Sequence, residues 1–460
     1  MIDLRLLTAI FVGKLTTWLI RKFGKSGATA APGLFALKID PKLIKKFSKQ
    51  IKFGSIVISG TNGKTTTARM LAHILDQEGL KVLHNRAGSN LLRGIASALI
   101  DKSSWFGKIA SDTAIWETDE AVMPTAVSQI DPKVLVISNL FRDQLDRYGE
   151  IDKLRKIWAK TTSKLDKKKI LVINSDDPQV ANLGKKTSAK VYYFGITDQS
   201  KGQQSLPPVS DAKFCPNCQT PLQYLAVYVY HMGKYQCPKC AFKHPRPTVL
   251  TDKITKITPE SVEFELTMPK GSIKVNLAVG GLYNVYNALA AATTAQSTGI
   301  SLGTIKKGLE DFRAAFGRIE KFNINHKVVY LYLVKNPAGF NEVIKTLFNN
   351  GDKKDVLIAI NDLIADGRDV SWLWDVDYSK MYGKIKKIFS TGIRAYDMAL
   401  RLKYDRVDNF SLIDDNIEKV VKRGVKNCSK KLYVLPTYTA MLEIRKILNQ
   451  MGHGVKFWED

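Results

Sequence analysis

A short apolar run, 55–58, leads into Gly60-Thr61-Asn62-Gly63-Lys64-Thr65-Thr66, and the stretch 68–75 then reads as a helix. This strand–loop–helix order constrains the chain more than any other feature in it. Glycines at 60 and 63 permit a tight turn and close approach of the backbone to phosphate. Lys64 can reach the β- and γ-phosphates, and Thr65 offers a hydroxyl to Mg2+. The N-terminus of the helix that follows adds positive potential. Gly60, Thr61, Asn62, Gly63, Lys64, Thr65 and Thr66 are therefore the expected ATP-binding loop. The fit to G-x-x-x-x-G-K-[ST] is incomplete, because Ile58 stands where the full pattern wants glycine.

Further strands are expected at 81–84, 113–117, 134–139, 170–174 and 191–194, with helical stretches between several of them. Such alternation predicts a parallel sheet covered by helices on both faces. In open sheets of this kind ligands bind beyond the carboxyl ends of the strands. Glu117 ends one strand, where it is a candidate Mg2+ ligand, and Asp143 and Asp146 follow another.

Cys215-Pro-Asn-Cys218 and Cys237-Pro-Lys-Cys240 lie 18 residues apart. Two such knuckles can supply four thiolates in a tetrahedron, the arrangement of structural Zn2+. Redox use of one C-x-x-C pair is the alternative. A closed set of four ligands leaves no position for water, so the expected zinc is structural. Tyr224, Tyr228, Tyr230 and Tyr235 are expected to pack the small core around it. Cys428 stands alone and reads as a buried apolar residue. Cysteine usage of this kind points to a reducing compartment, hence the cytoplasm.

At 460 residues the chain is too long for one core. The expected division is a helical arm over 1–50, ending at Pro32-Gly33 with a second short helix near Pro41, then a central ATP-binding domain over 51–320. The cysteine module is inserted in that domain at about 205–245, and a second α/β domain covers 321–460. In the second domain strands are expected at 328–334, 356–360, 387–390 and 432–435. The net charge of +27 favours anionic partners. No interleaved aromatic–basic patch accompanies it, which argues against a nucleic-acid-binding ATPase. No apolar stretch is long enough to span a bilayer as a helix. Leu4, Leu7, Phe11, Leu15 and Trp18 recur at helical spacing. Packing against the protein's own body is the expected role of that stripe, and a membrane surface is the alternative.

The strand at 356–360 leads into a loop that holds Asp362, Asp366 and Asp369, with Trp372 and Trp374 after it. Loops after strands are favoured places for function. Asp residues also bond their own backbone in turns, so composition leaves both readings open.

Gly60–Thr66, Asn174-Ser175-Asp176-Asp177-Pro178, Gly281-Leu282-Tyr283-Asn284-Val285-Tyr286-Asn287 and Phe316-Gly317-Arg318-Ile319-Glu320 together resemble the central domain of the Mur ligases. The resemblance implies activation of a carboxylate as an acyl phosphate with ATP, followed by attack of an amine. It also implies that Asn287 touches adenine, Arg318 binds phosphate and Glu117 holds Mg2+. The chain departs from the usual ligases at Gln144, where they carry histidine, and at Lys335-Asn336, where Asp and His are frequent. Their carbamylated lysine has no matching motif here, and Lys160 is the nearby candidate.

These departures, the cysteine insertion, Asp366-Gly367-Arg368-Asp369-Val370-Ser371-Trp372, the stretch 391–397 and Leu435-Pro436-Thr437-Tyr438-Thr439 are similar to the MurT family of ligase-like subunits. That likeness implies ATP-dependent amidation of D-glutamate in the lipid II stem peptide, at its α-carboxylate, to D-isoglutamine. The ammonia would come from a partner glutaminase of GatD type. It implies a loop aspartate completing the partner's catalytic set, in the order Asp369, Asp366, Asp362. Peripheral contact with the inner membrane surface is a further implication, and nucleic acid is not an expected partner. The alternative activity is a self-sufficient Mur-type amino-acid ligase.

Overall fold

In a computed structural model, which describes residues 3–23, 29–85, 89–142, 151–207, 210–258, 260–313, 319–348 and 351–452, the chain divides into two compact units. The phosphate-loop strand Ser55–Ser59 (β1) belongs to the first. Its sheet also holds Val82–His84 (β2), Thr113–Glu117 (β3), Val134–Ile137 (β4), Ile170–Asn174 (β5) and Lys190–Ile196 (β6). After the cysteine module, built on the hairpin Gln223–Val229 (β7) and Met232–Gln236 (β8), come Val249–Ile257 (β9), Val262–Met268 (β10) and Gly271–Leu277 (β11). The sheet order is β11-β10-β9-β6-β5-β4-β1-β3-β2. Pairing is parallel from β2 through to β9 and antiparallel from β9 to β11.

β1, β3 and β4 are buried along their whole length. They read as unbroken apolar runs because helices cover both faces of a parallel sheet. The chain leaves β1 toward β2 and β3 on one side, then crosses to β4, β5 and β6 on the other. β1 therefore sits at the topological switch point, where a crevice opens above the carboxyl ends of the strands.

The helix Leu4–Phe23 forms as the spacing predicts, but the stripe expected to face inward points the other way. Leu6, Ala9, Ile10 and Gly13 are buried, whereas Leu4, Phe11, Leu15 and Trp18 are exposed. A small residue helps decide this: Gly13 lets the helix close on Ile100, where a Cβ would come within 2.8 Å of its side chain. Pro32-Gly33 also does not end an arm. Pro32 lies in the first turn of the helix Ala31–Ile39, where its missing N–H costs nothing. Gly33 is pressed against the helix Leu92–Lys102, and a Cβ there would lie 1.9 Å from the Arg93 carbonyl oxygen. The short helix near Pro41 is Leu43–Ser48.

In the second unit, Ile319–Ile324 (β12), Lys327–Tyr332 (β13), Lys354–Ala359 (β14), Ile385–Thr391 (β15), Phe410–Ile413 (β16) and Lys431–Pro436 (β17) form a sheet. Its order is β12-β13-β17-β14-β15-β16, parallel except for the β12–β13 hairpin. β12 and β16 have no counterpart in the strands expected from the sequence, because neither carries an unbroken apolar run. Cys428 lies in the core between this sheet and the helices Ile417–Asn427 and Tyr438–Met451.

Candidate functional site

Positive φ at Gly60 (139°) and Gly63 (88°) bends the chain sharply out of β1. No other residue type fits, since a Cβ on Gly60 would lie 2.1 Å from Ser138 Oγ. The residues beyond β4 hold the loop from one side. Asn139 accepts from the Asn62 amide at 2.8 Å and donates to the Asn62 carbonyl at 2.9 Å. Thr61 Oγ1 donates to the Phe141 carbonyl at 3.2 Å and accepts from its amide at 3.0 Å. The helix Lys64–Gln77 then starts directly at the lysine, so its first amides face the crevice.

Lys64 is buried. Its ammonium donates to the Gly60 carbonyl, to the Thr61 carbonyl at 3.2 Å and to Glu120 Oε2 at 3.1 Å. Glu120 is equally buried, and its backbone carbonyl accepts from Trp158 Nε1 at 2.9 Å. A buried lysine stays charged only when paired. Sequence reasoning missed Glu120; the acidic run Glu117-Thr118-Asp119-Glu120 was the available signal. Glu117 pairs in register with Ile58 across the sheet and so stands beside the loop. Thr65 is half-buried at the helix start. The Thr65 hydroxyl and the Glu117 carboxylate, both beside a glycine cradle, are hard-oxygen donors of the kind Mg2+ takes on a phosphate chain.

Asn287, on the helix Leu282–Ser297, is placed against the loop. Its carboxamide accepts from Thr67 Oγ1 at 3.3 Å and donates to Asn284 Oδ1 at 2.9 Å. A Cβ on Gly63 would come within 2.1 Å of Asn287 Oδ1. Arg318, Asp143, Gln144 and Asp146 lie outside the described residues. Lys160 is exposed on the helix Ile151–Thr162.

Asp176 and Asp177 are fully buried and structural. Asp176 accepts from Ser175 Oγ at 2.7 Å, Tyr286 Oη at 2.6 Å and the Ile196 amide at 2.8 Å, and its Oδ1 also meets His244 Nε2 at 2.8 Å. This one carboxylate joins the sheet, the helix Leu282–Ser297 and the cysteine module. Asp177 accepts from the Leu140 amide at 2.8 Å and caps the helix Pro178–Ala181.

The four cysteine sulfurs all lie within 4.8 Å of one another. Cys215 and Cys240 are 3.6 Å apart, Cys218 and Cys237 3.5 Å. A tetrahedron with Zn–S near 2.3 Å has edges of about 3.8 Å, so the set fits Zn2+. The separations are far beyond the roughly 2.05 Å of a disulfide. Burial pushes the Cys215 thiol up to about 12, whereas bonds from Thr220 bring Cys218 down to about 6. The amides of Lys239 and Cys240 both point at Cys237 Sγ from 3.4 Å. Tyr224, Tyr235 and Phe242 pack the module's core. The β7–β8 hairpin carries Tyr230 and His231 at its tip, with their rings 5.6 and 4.8 Å from that of Phe141. Phe141 in turn bonds Thr61, so the module braces the phosphate loop.

In the second unit the three loop aspartates differ. Asp366 is buried and accepts from the amide of Thr439 at 2.7 Å and from its hydroxyl. It thereby caps the N-terminus of the helix Tyr438–Met451, and burial raises its pKa. Asp362 pairs with Arg394 at 2.7 Å. Asp369 is exposed and bonded only locally, to Ser371, which holds its carboxyl below the ordinary value. Leu363, Ile364, Trp374, Tyr396 and Tyr404 are exposed large apolar residues of the same unit.

Comparison with known proteins agrees with this architecture. The Mur ligase middle domain model matches residues 58–237, and the MurT ligase C-terminal model matches 333–441. Solved structures with this fold include a pseudomurein peptide ligase type C from Methanothermus fervidus. It has TM-score 0.66 and 24% identity, over 89% of this chain and 81% of that one. MurF ligase from Thermotoga maritima, in complex with ADP, has TM-score 0.63 and 13% identity, over 90% of this chain and 84% of that one. The chain is thus a protein of the Mur ligase fold, with a four-cysteine module inserted in its phosphate-loop unit. Two relatives carry the name lipid II isoglutaminyl synthase (glutamine-hydrolyzing) subunit MurT. That of Staphylococcus aureus strain COL is 34% identical over 97% of this chain and 98% of its own length. That of Streptococcus pneumoniae strain R6 is 32% identical over 97% of each. The chain belongs to the MurT family.

Proposed function

We propose that this protein is the synthetase subunit of a lipid II isoglutaminyl synthase, working in the cytoplasm with a glutaminase of GatD type. The reading rests on one conjunction: a lysine-bearing phosphate loop at the switch point of a Mur-type sheet, in a chain collinear with two relatives of that name.

The substrate is the α-carboxylate of D-glutamate in the stem peptide of lipid II. Its oxygen attacks the γ-phosphorus of ATP, and ADP leaves. Ammonia attacks the acyl carbon, loses a proton, and phosphate leaves, giving D-isoglutamine. Gly60–Thr66 wraps the phosphates, and Lys64 shifts its charge from Glu120 to them as they enter. Arg318 and Asn287 complete nucleotide binding. Thr65 and Glu117 would hold Mg2+, which neutralises phosphate charge when bound. Cys215, Cys218, Cys237 and Cys240 would hold Zn2+, which keeps the hairpin tip rigid against Phe141.

Asp369 is the aspartate offered to the partner. An ionised acid can fix a histidine tautomer and stabilise the imidazolium. Asp366 and Asp362 are already engaged, by Thr439 and Arg394. The exposed apolar residues of this unit suit a docked protein. Peripheral contact with the membrane belongs to the same reading, because the substrate is a lipid. Among the described residues no helix is long and apolar enough to cross a bilayer.

The test is co-purification with candidate glutaminases and an assay of glutamine-dependent lipid II amidation. ATP hydrolysis that depends on an added amino acid, with no glutaminase present, would instead establish an amino-acid ligase.

A further inference from the structure

We propose that the outward stripe of the helix Leu4–Phe23 and the turn at Trp105–Phe106 form one surface that seats on an anionic lipid bilayer. The inference specifies the membrane contact named above. Its vesicle measurement stands without that reading.

The stripe is not the leftover of a badly packed helix. The opposite face is well buried through Leu6, Ala9, Ile10 and Gly13. The exposed residues recur along one side: Leu4 (74% exposed), Phe11 (56%), Leu15 (42%) and Trp18 (52%). The turn adds Trp105 (59%) and Phe106 (83%). These elements are joined. The rings of Phe11 and Trp105 are 6.3 Å apart. Gly107, at φ +72°, packs beside Leu6 and Ile10, and its carbonyl accepts from Gln50 Nε2 at 2.9 Å. The aromatic side chains are therefore presented on a fixed frame.

The polar groups around them select the occupant. The Lys14 ammonium lies 5.4 Å from the Trp105 ring centre, and the Lys22 ammonium 4.9 Å from that of Trp18. Lys102 and Lys108 are exposed on either side of the turn. Residues 1–53 and 101–108 together hold thirteen Lys and Arg against three acidic residues, of which Asp101 pairs with Arg21 at 3.2 Å. Aromatic rings flanked by lysines, on a helix too polar to span, are the composition of an interfacial helix. The positive charge favours anionic headgroups. It disfavours a second copy of this chain, since pairing two such faces brings like charges together.

The experiment is cosedimentation of the full chain with vesicles of phosphatidylglycerol in phosphatidylcholine, against phosphatidylcholine alone, at low and high salt. Binding to the anionic vesicles, weaker in high salt, is expected. Trp105→Ser with Phe106→Ser should weaken it at least about tenfold, since two large apolar side chains no longer leave water. Phe106→Ser alone is the variant least able to disturb the fold, and it should show a smaller loss at unchanged melting temperature. Absence of binding to anionic vesicles, or binding undiminished in both variants, overturns the proposal. So does a concentration-dependent dimer that the substitutions dissolve. With the glutaminase present, the double variant should lose activity on vesicle-embedded lipid II and keep it on a short-chain, water-soluble analogue. If the unmutated complex amidates neither substrate, the functional reading fails, and the vesicle result still decides the surface.

Discussion

Lys64 and Glu120 form an ion pair whose side chains are only 8% and 5% exposed. Truncating one partner of a buried pair costs about 3–5 kcal/mol, because the other charge stays desolvated. Lys64 keeps the carbonyls of Gly60 and Thr61 when Glu120 is removed, so Glu120→Leu belongs at the lower end, about 3 kcal/mol. Lys64→Met leaves a buried carboxylate and should cost at least as much. For a unit of this size, 1 kcal/mol moves the melting temperature by roughly 2 °C, which puts each single variant about 6 °C below the parent. Replacing both with apolar residues removes both desolvation penalties, so the double variant should melt above either single one. The assay is near-ultraviolet circular dichroism of the ligand-free protein, which follows buried Trp116 and Trp158. Additive losses in the double variant would refute the argument, because two independent side chains cannot rescue each other. The same pairing makes a functional statement: Glu120→Gln, which keeps a hydrogen-bond acceptor without the charge, should tighten ATP binding, since Lys64 then gives up less to meet phosphate.

Asp369→Asn should lower glutamine hydrolysis by the co-purified complex without changing its melting temperature. Asp366→Ala should do the reverse, losing about 1–2 kcal/mol with its helix cap, read by thermal denaturation. Cys215→Ser, or chelation of Zn2+, should lower the melting temperature and also weaken ATP binding, because the hairpin tip supports Phe141 and hence Thr61. Retention of ATP affinity in a zinc-free, folded sample would break that link; fluorescent nucleotide titration with calorimetry decides it. Gly33→Ala should destabilise the first unit by about 1–3 kcal/mol, since a Cβ would sit 1.9 Å from the Arg93 carbonyl. Urea denaturation measures this, and a neutral result would mean that the helix Ala31–Ile39 can slide.

Local features were legible in the sequence because short-range physics makes them. An apolar run before two glycines and a lysine can hardly be other than strand, turn and helix start. Each proline-bearing knuckle likewise holds its own two sulfurs close, and the 18 residues between the knuckles suffice for a hairpin that joins the pairs. Tertiary structure decided the rest. The register of β3 against β1 brought Glu120 to Lys64, which no spacing in the chain announces. Of three aspartates within eight residues, one caps a helix and one pairs with Arg394, both partners distant in sequence, and only Asp369 is left exposed. The N-terminal helix carries apolar residues around much of its circumference, so periodicity could not choose its inner face. The choice turned on Gly13, because close approach to Ile100 leaves no room there for a side chain.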